Sequence, residues 1–306
     1  MSRLRVLRPG PLSLLQDAGR HGWQHLGVAP GGVMDEQAAA WANRLLGNAW
    51  GAALLEIALG DVELLAEADV WLALTGAEAP AQVDGAPLLP WSRFCLRAGQ
   101  RLRIGFARRG QRLYLAAPGG FQAGPVLGSC STQVREGLGG LDGLGSALRA
   151  GELLHCSARV LPCPASVPWY WQARYPDELP LRVMVGGDAP AFGEAALAAF
   201  FTRPWQLSAQ SDRMGARLCG EPLPAPVRQW SQGVGRGAIQ VPPDGQPIIL
   251  QADHQTMGGY PLLGWLHPQD LWRLAQCPAR QRLRFSRVGV AGVQAGLRRF
   301  YGFFRT

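Results

Sequence analysis

The densest group of chemically capable side chains lies in residues 253–260, which read DHQTMGGY. A carboxylate, a carboxamide and a hydroxyl, on Asp253, Gln255 and Thr256, come just before two glycines. A ligand can approach a glycine backbone closely because glycine has no Cβ. The pattern therefore indicates a site for a small polar ligand. The alternative is a tight loop that satisfies its own backbone groups.

A second polar group lies in residues 211–217, which read SDRMGAR. Arg213 is suited to hold a carboxylate or phosphate in a bidentate arrangement, with Asp212 fixing the orientation of the guanidinium. Ser211 adds a hydroxyl at the same place. The alternative is an Asp–Arg pair on the surface, where a strand meets a turn.

Two short strands must position the 253–260 segment. Residues 238–241 and 247–250 are apolar, and the sequence PPDG between them predicts a hairpin. Asp244 and Gly245 tolerate the positive φ angles that tight hairpin turns require. Short apolar runs and turn residues alternate along much of the chain, which contains 40 Gly and 24 Pro. This favours a mainly β, α+β fold with a few short helices.

The clearest helix in the first half is predicted from Met34 to Asn48. Asp35 is placed to cap it, and apolar residues follow at helical spacing. Asn43 is spaced so that its side chain and that of Asn48 approach the same end of the helix. We expect these two amides to be available to a ligand there.

Ser131 and Thr132 belong to a glycine-rich stretch, residues 128–145. We expect a tight loop that faces the substrate. The spacing matches neither GxxxxGK, nor GxGxxG, nor the GxSxG nucleophile elbow. As a catalytic motif the stretch is therefore weak.

The composition excludes several kinds of chemistry. All 30 basic residues are arginine, since the chain contains no lysine. A Schiff-base lysine, a phosphate-loop lysine and a lysine that carries covalent biotin are therefore excluded. The formal charge of +8 would favour a nucleic acid. Many arginines, however, alternate with apolar residues as on the outer face of a strand, and we expect no nucleic-acid partner.

The cysteine pattern and the hydropathy of the chain predict whether it binds a metal, associates with a membrane and lies in the cytoplasm. None of the six cysteines forms a CxxC pair, so no metal site is expected. No segment is long and apolar enough to span a bilayer, so we expect no membrane association. A cytoplasmic protein with reduced thiols follows as the expectation.

The chain length predicts two domains. The first would be a β-rich domain over residues 1–158. A stretch rich in proline and aromatic residues, 159–180, is predicted to be a linker. The second domain would cover residues 181–306 and end in a helix with an apolar face.

Several motifs together resemble one known family. They read LQDAGRHGWQHLGV, VLGSCST, SDRMGARLCG and GAIQVPPDGQPIILQADHQTMGGYP. From Gln16 to Val288 the chain resembles the biotin-dependent carboxyltransferase and allophanate hydrolase subunit 2 family. This family includes Kip-type antagonist proteins and the C subunit of ATP-dependent 5-oxoprolinase. The resemblance implies two domains with cyclophilin-like β-barrels.

The chain is most similar to the 5-oxoprolinase branch, since it lacks a biotin carboxylase module. That similarity implies ATP-dependent opening of the lactam of 5-oxo-L-proline to give L-glutamate. It implies two partners, the B subunit of 5-oxoprolinase, which is Kip-inhibitor-like, and the A subunit. ATP would bind at the level of the complex, activity would require the complex, and this chain would carry no covalent biotin.

The same similarity gives roles to the polar residues. Asp253, Gln255 and Thr256 would act as catalytic residues that orient the lactam N–H and C=O. Residues that would bind the substrate are Ser211, Asp212, Arg213, Gln240, Asp244, Gly258, Gly259, Tyr260, Asn43, Asn48, Ser131 and Thr132. His254 and Met257 depart from the family motif, so we expect them to alter the fit of the substrate.

Two other functions remain open. One is a carboxyltransferase that acts on urea or a similar amide, with carboxybiotin supplied by another chain. The other is a non-catalytic antagonist that binds a Kip-type kinase inhibitor. A shared scaffold does not fix the substrate, so the sequence separates these functions poorly.

Overall fold

The computed structural model describes residues 1–305, which form two compact units. Unit 1 comprises residues 1–21, 31–174 and 305, and unit 2 comprises residues 22–30 and 175–304. The boundary between the two units at residues 174 and 175 therefore lies inside the stretch predicted as a linker. Residues 159–174 belong to unit 1, where Ala165–Ser166 form a strand.

The prediction of a mainly β fold with short helices is confirmed by the secondary structure of residues 1–305. Unit 1 contains the helix α1 (Glu36–Leu45) and the strands β1 (Ser2–Pro9), β2 (Leu12–Gln16), β3 (Leu54–Ala58), β4 (Val62–Ala66), β5 (Val70–Glu78), β6 (Ala81–Val83), β7 (Ala86–Pro87), β8 (Ser92–Leu96), β9 (Arg101–Ile104), β10 (Arg109–Ala116), β11 (Leu153–Cys156) and β12 (Ala165–Ser166).

Unit 2 contains the helices α2 (Ala189–Thr202), α3 (Pro268–Leu274) and α4 (Val290–Phe304) and the strands β13 (Glu178–Val185), β14 (Trp205–Leu207), β15 (Gly215–Cys219), β16 (Gln232–Gly233), β17 (Ala238–Gln240), β18 (Ile248–Leu250), β19 (Met257–Gly258), β20 (Leu262–Leu266) and β21 (Arg282–Arg287). Two short 3-10 helices occupy Gln24–Leu26 and Trp169–Trp171.

The strands of unit 1 form two six-stranded sheets, in the orders β11-β1-β4-β9-β6-β7 and β12-β8-β5-β10-β3-β2. Their apolar faces share one hydrophobic core. In β9 the side chains of Leu102 and Ile104 are buried, whereas Arg101 and Arg103 are exposed. This alternation matches the prediction that the arginines lie on the outer face of strands.

Unit 2 is built on a closed seven-stranded barrel in the order β13-β20-β17-β18-β15-β14-β21. The barrel closes where β13 and β21 pair in parallel. The predicted hairpin is confirmed, because β17 and β18 are antiparallel and Ile239 pairs with Ile249. Both of these side chains are fully buried in the barrel core. Gly245 supplies the turn with a φ of 72°.

The terminal helix α4 packs on α3. The ring of Phe300 lies 4.4 Å from that of Trp272, measured between centroids. The apolar face predicted for this helix therefore contributes to packing within unit 2. Within residues 1–305, the helices are all too short or too polar to cross a membrane.

His267 caps α3 with its own ring. The backbone N–H of Gln269 donates to His267 Nδ1 at 3.1 Å, and the residue is only 1% exposed. Burial, together with the nearby guanidinium of Arg182, lowers the pKa of His267. The cap requires an unprotonated Nδ1, so it is compatible only with the neutral ring.

We predict that unit 2 loses stability in mild acid. The pKa of His267 is lower in the folded protein than in the unfolded chain, where it is about 6.5. As the pH falls below that value, the unfolded chain takes up the proton more readily than the folded protein, so the free energy of unfolding decreases. Chemical denaturation followed by tryptophan fluorescence should give a smaller free energy of unfolding at about pH 5.5 than at about pH 7.5. Asparagine caps helices without titrating, so His267→Asn should reduce this slope. An unchanged slope would contradict the role given to His267.

Candidate functional site

An ion pair joins the two polar segments singled out in the sequence. Arg213 donates from Nε to Asp253 Oδ2 at 2.8 Å and from Nη2 to Asp253 Oδ1 at 2.9 Å. The backbone N–H of Asp253 also donates to the carbonyl of Arg213 at 2.8 Å. The side chains of Arg213 and Asp253 are only 11% and 16% exposed, respectively. Two parallel charge-assisted hydrogen bonds in this setting hold the carboxylate in one orientation.

Asp253, and not Asp212, makes the bidentate contact with Arg213. The carboxylate of Asp212 accepts hydrogen bonds from the backbone N–H groups of Met214 and Gly215 at 2.8 and 3.0 Å. Aspartate commonly closes such a turn on its own backbone. The expectation that Asp212 orients Arg213 is therefore corrected.

A pair of carboxamides lies at the end of β17. Gln255 Nε2 donates to Gln240 Oε1 at 3.2 Å. Gln240 is 1% exposed, and its Nε2 has no hydrogen-bond acceptor among residues 1–305. A Cβ at Gly258 would clash with this nitrogen. Glycine is therefore needed at position 258 for the Gln240 amide to lie against the backbone.

Gly258 belongs to a two-stranded ribbon formed by β16 and β19. In this ribbon Gly233 pairs with Met257, and the backbone N–H of Val234 donates to the carbonyl of Thr256 at 3.0 Å. Thr256 is 9% exposed. The predicted loop is thus ordered by backbone pairing. Past the ribbon, Gly259 and Tyr260 are exposed.

Arg228 ties the ribbon to the start of α2. It donates from Nη2 to Gln232 Oε1 at 2.6 Å and from Nη1 to Asp188 Oδ2 at 2.7 Å. Its guanidinium also lies over the ring of Trp230, 5.2 Å from the centroid. Sequence reasoning missed this clamp because Arg228 follows a proline-rich stretch without periodicity. The available signal was Asp188, which stands where a helix cap is expected.

His254 fixes the backbone between the ion pair and the carboxamides. Its ring is 1% exposed, and Nδ1 donates to the carbonyl of Gln255 at 2.6 Å. Burial, and to a smaller extent the charge of Arg236, lowers the pKa of His254. The ring is therefore neutral near neutral pH, with its proton on Nδ1.

The side chains of two predicted binding residues in unit 2 accept hydrogen bonds from backbone N–H groups of nearby residues. The backbone N–H of Arg217 donates to Ser211 Oγ at 3.0 Å. Asp244 is exposed in the β17–β18 turn and accepts from the N–H of Gln246 at 3.0 Å. The structure therefore gives Ser211 and Asp244 roles in shaping turns.

Asn43 and Asn48 hold the end of α1 within unit 1. Asn48 Nδ2 donates to Asn43 Oδ1 at 2.9 Å and to the carbonyl of Ala117 at 2.8 Å. Asn48 Oδ1 accepts from the N–H of Gly119 at 2.8 Å. The two amides do meet at one end of the helix, but they bind backbone groups of unit 1 there.

Ser131 and Thr132 are fully buried in unit 1. Ser131 Oγ donates to Asp17 Oδ1 at 2.6 Å, and Thr132 Oγ1 donates to the carbonyl of Leu15 at 2.9 Å. The same Asp17 oxygen accepts from Ser129 Oγ at 2.6 Å. These hydroxyls therefore hold the glycine-rich loop in place rather than facing a substrate, which corrects that expectation.

The site that emerges lies in unit 2. It combines the ion pair, the two carboxamides and the glycine ribbon, so it offers a fixed carboxylate acceptor and neutral amide groups. This donor and acceptor set suits a small amide-like ligand. Among residues 1–305, no group of three or more His, Cys, Asp or Glu side chains is placed to hold a metal ion.

We predict that Ser131→Ala destabilises unit 1 without changing ligand binding in unit 2. Asp17 would lose a hydrogen-bond donor in a buried network, which should lower the free energy of unfolding by about 1–3 kcal/mol. Chemical denaturation measures this loss, and Ser166→Ala on the exposed strand β12 is the matched control. A stable Ser131→Ala protein with weakened ligand binding would restore Ser131 to the binding site.

Sequence comparisons agree with a single family. Residues 26–287 match the family described as carboxyltransferase domain, subdomain A and B. The chain is 38% identical over 287 residues to the 5-oxoprolinase C subunit of Escherichia coli K12, a match that covers 92% of this chain and 90% of that protein. It is 35% identical over 279 residues to the 5-oxoprolinase C subunit of Haemophilus influenzae, covering 90% and 88% of the two chains.

Solved structures give the same result. The urea carboxylase of Kluyveromyces lactis superposes with a TM-score of 0.88 at 26% identity, over 95% of this chain and 28% of that one. The protein TTHA0988 superposes with a TM-score of 0.83 at 33% identity, over 94% of this chain and 56% of that one. The chain thus spans about half the length of TTHA0988 and about a quarter of the length of the urea carboxylase. The resemblance inferred from the motifs is confirmed: this chain belongs to the carboxyltransferase domain family, subdomain A and B.

Proposed function

We propose that this chain is the C subunit of an ATP-dependent 5-oxoprolinase, a complex that converts 5-oxo-L-proline to L-glutamate. The observation that carries the proposal is the 38% identity to a protein named as the C subunit of 5-oxoprolinase, over 92% of this chain and 90% of that one. The likeness thus extends over nearly the whole length of both chains.

The site in unit 2 supports this substrate class. A lactam is a neutral cyclic amide, so its recognition requires an acceptor for the ring N–H and a donor for the carbonyl oxygen. Asp253, held by Arg213, supplies the acceptor. The carboxamides of Gln240 and Gln255 supply neutral groups of the kind that bind a carbonyl. Asp253 thus takes the orienting role, and Arg213 positions Asp253.

ATP is assigned to the complex as a whole. A lactam is a poor electrophile, so we propose that its carbonyl oxygen takes the γ-phosphoryl group of ATP and that ADP leaves. Water then adds to the carbonyl carbon, the ring C–N bond breaks as the nitrogen takes a proton, and phosphate leaves. The sequence has no lysine and no phosphate-binding loop. We therefore propose that ATP affinity depends on the B subunit, and that activity belongs to the assembled complex.

A carboxyltransferase acting on urea is the second candidate. The chain is 32% identical over 302 residues to a putative urea carboxylase of Emericella nidulans, covering 93% of this chain but 24% of that protein. Urea is also a neutral amide, so the same donors and acceptor suit it. Carboxybiotin would have to come from another chain, because this one has no lysine to carry biotin.

The test is reconstitution of the chain with the A and B subunits. We expect phosphate and glutamate to be released from ATP and 5-oxo-L-proline only in the full mixture. Turnover of urea with a carboxylated biotin carrier, and none of 5-oxo-L-proline, would favour the second candidate. Tight binding of the B subunit without turnover of either substrate would favour the antagonist function.

We predict that Asp253→Asn lowers kcat/KM for 5-oxo-L-proline by about tenfold to a hundredfold, the loss expected for one hydrogen bond to a charged group. The change removes the anionic acceptor and leaves the partly buried guanidinium of Arg213 facing an amide. The measurement is 5-oxo-L-proline-dependent phosphate release by the reconstituted complex.

The matched control for Asp253→Asn is Asp69→Asn. Asp69 pairs with Arg97 at 2.7 Å on the exposed surface of unit 1, so its loss removes an Asp–Arg pair that lies in the other unit. Wild-type kinetics for Asp253→Asn would exclude the proposed role of Asp253. Thermal unfolding of both variants separates a loss of activity from a loss of folded protein.

A further inference from the structure

The side chain of Gln240 presents a buried hydrogen-bond donor that residues 1–305 do not satisfy. The residue is 1% exposed, and its Nε2 has no acceptor within the described residues. Leaving a buried amide donor unpaired destabilises the fold, because the group loses its hydrogen bonds to water. Such a cost is commonly retained where a ligand completes the hydrogen bond.

From this we infer that Gln240 is a specificity-determining residue, whose Nε2–H binds the neutral carbonyl oxygen of the substrate. This inference rests on the proposed function and deepens it, because it names the group that distinguishes a lactam from an amino acid without the ring carbonyl. A carboxamide N–H donor and a lactam carbonyl oxygen are both neutral, so they form a hydrogen bond without a counter-charge at the site.

Gln255 is the positioning residue for this donor. Its Nε2 donates to Gln240 Oε1 at 3.2 Å, which leaves the nitrogen of Gln240 directed away from Gln255. The backbone at Gln255 is in turn fixed by His254, whose Nδ1 donates to the Gln255 carbonyl. The orientation of the Gln240 amide is therefore determined by the protein before any ligand binds.

Gly258 determines where the donor lies. Because a Cβ at position 258 would clash with Gln240 Nε2, any other residue would displace the amide. Gly258 lies in the β16–β19 ribbon, whose short strands are joined by backbone pairing. Met257 in this ribbon is 55% exposed. None of the four strand residues of this ribbon is buried, so a displacement of the ribbon would give a ligand access to Gln240.

The kinetic test compares variants that change the donor with one that moves it. Gln240→Glu replaces the N–H donor by a carboxylate and should lower kcat/KM for 5-oxo-L-proline by about tenfold to a hundredfold. Gly258→Ala should act in the same direction by displacing the amide, and its backbone φ is one that alanine can adopt. The matched controls are Gln206→Glu on the exposed side of strand β14 and Gly289→Ala outside the ribbon, where a Cβ meets nothing within 4 Å.

A double variant separates displacement from a general effect on the fold. If Gly258→Ala acts through the amide, it should have little further effect when Gln240 is already alanine. Full additivity of the two changes would contradict the inference. Gln255→Met gives a further test, because it releases the Gln240 amide without adding a charge beside it. It should therefore also lower kcat/KM for 5-oxo-L-proline.

The binding test follows the side-chain ¹H–¹⁵N signals of Gln240 in the full-length chain. We expect them to shift with 5-oxo-L-proline and with 2-pyrrolidone, which both carry the lactam carbonyl. We expect no shift with L-proline, which has the carboxylate but lacks the lactam carbonyl. Shifts with L-proline equal to those with 5-oxo-L-proline would overturn the inference.

The two readouts distinguish failure of the inference from failure of the proposed function. If the wild-type complex turns over 5-oxo-L-proline and the Gln240 and Gly258 variants match it, the inference is wrong and the proposed function stands. If the wild-type complex is inactive, the proposed function is wrong. The Gln240 signals then decide the inference, since a shift with urea or 2-pyrrolidone supports it and no shift with any carbonyl probe overturns it.

Discussion

The Arg213–Asp253 ion pair is the contact on which the polar end of unit 2 depends. Residues 213–214 and 251–253 are already joined by backbone hydrogen bonds beyond β15 and β18. The bidentate contact adds a charge-assisted link at the point where the hairpin passes into the ribbon. Removing either partner would break a partly buried ion pair, which is costly, so the two residues act as one unit. Gln255, Thr256 and strand β19 follow this anchor directly in the chain.

Unit 1 is held by a comparable network, which serves a different purpose. The carboxylate of Asp17 accepts hydrogen bonds from Ser129 Oγ, Ser131 Oγ and the N–H of Cys130. Arg20, which is 1% exposed, donates to the carbonyls of Ser131 and Val126. A glycine-rich loop contributes little side-chain packing, so buried polar contacts hold it in place. The hydroxyls of Ser129 and Ser131 in this loop therefore form structural hydrogen bonds.

The contrast between the two units separates binding groups from structural groups. In unit 1 the polar side chains that attract notice in the sequence have their hydrogen bonds completed by the protein. In unit 2 the Gln240 amide lacks an acceptor within residues 1–305, and Gln251, just beyond β18, is buried there with neither side-chain polar atom paired. Buried polar groups that lack partners are uncommon in folded proteins, and in unit 2 those of Gln240 and Gln251 lie close in sequence to the candidate site.

Local sequence signals were sufficient to predict the β-rich fold, the β17–β18 hairpin, the helices α1 and α4, and the family. These signals are alternating apolar residues, Asp-Gly in a turn, Asp35 before a helix, and motifs of fixed spacing. Which polar residues meet could be read from the folded chain alone. Asp212 is adjacent to Arg213 in sequence, yet Asp253, forty positions further on, is its partner because strand pairing brings the two backbones together. Ser131 had the residue type of a binding group, but its burial against Asp17 gave it a structural role. Contacts of this kind depend on which distant strands pair, as β15 does with β18, and on what the folded chain buries, and both are decided by the tertiary structure.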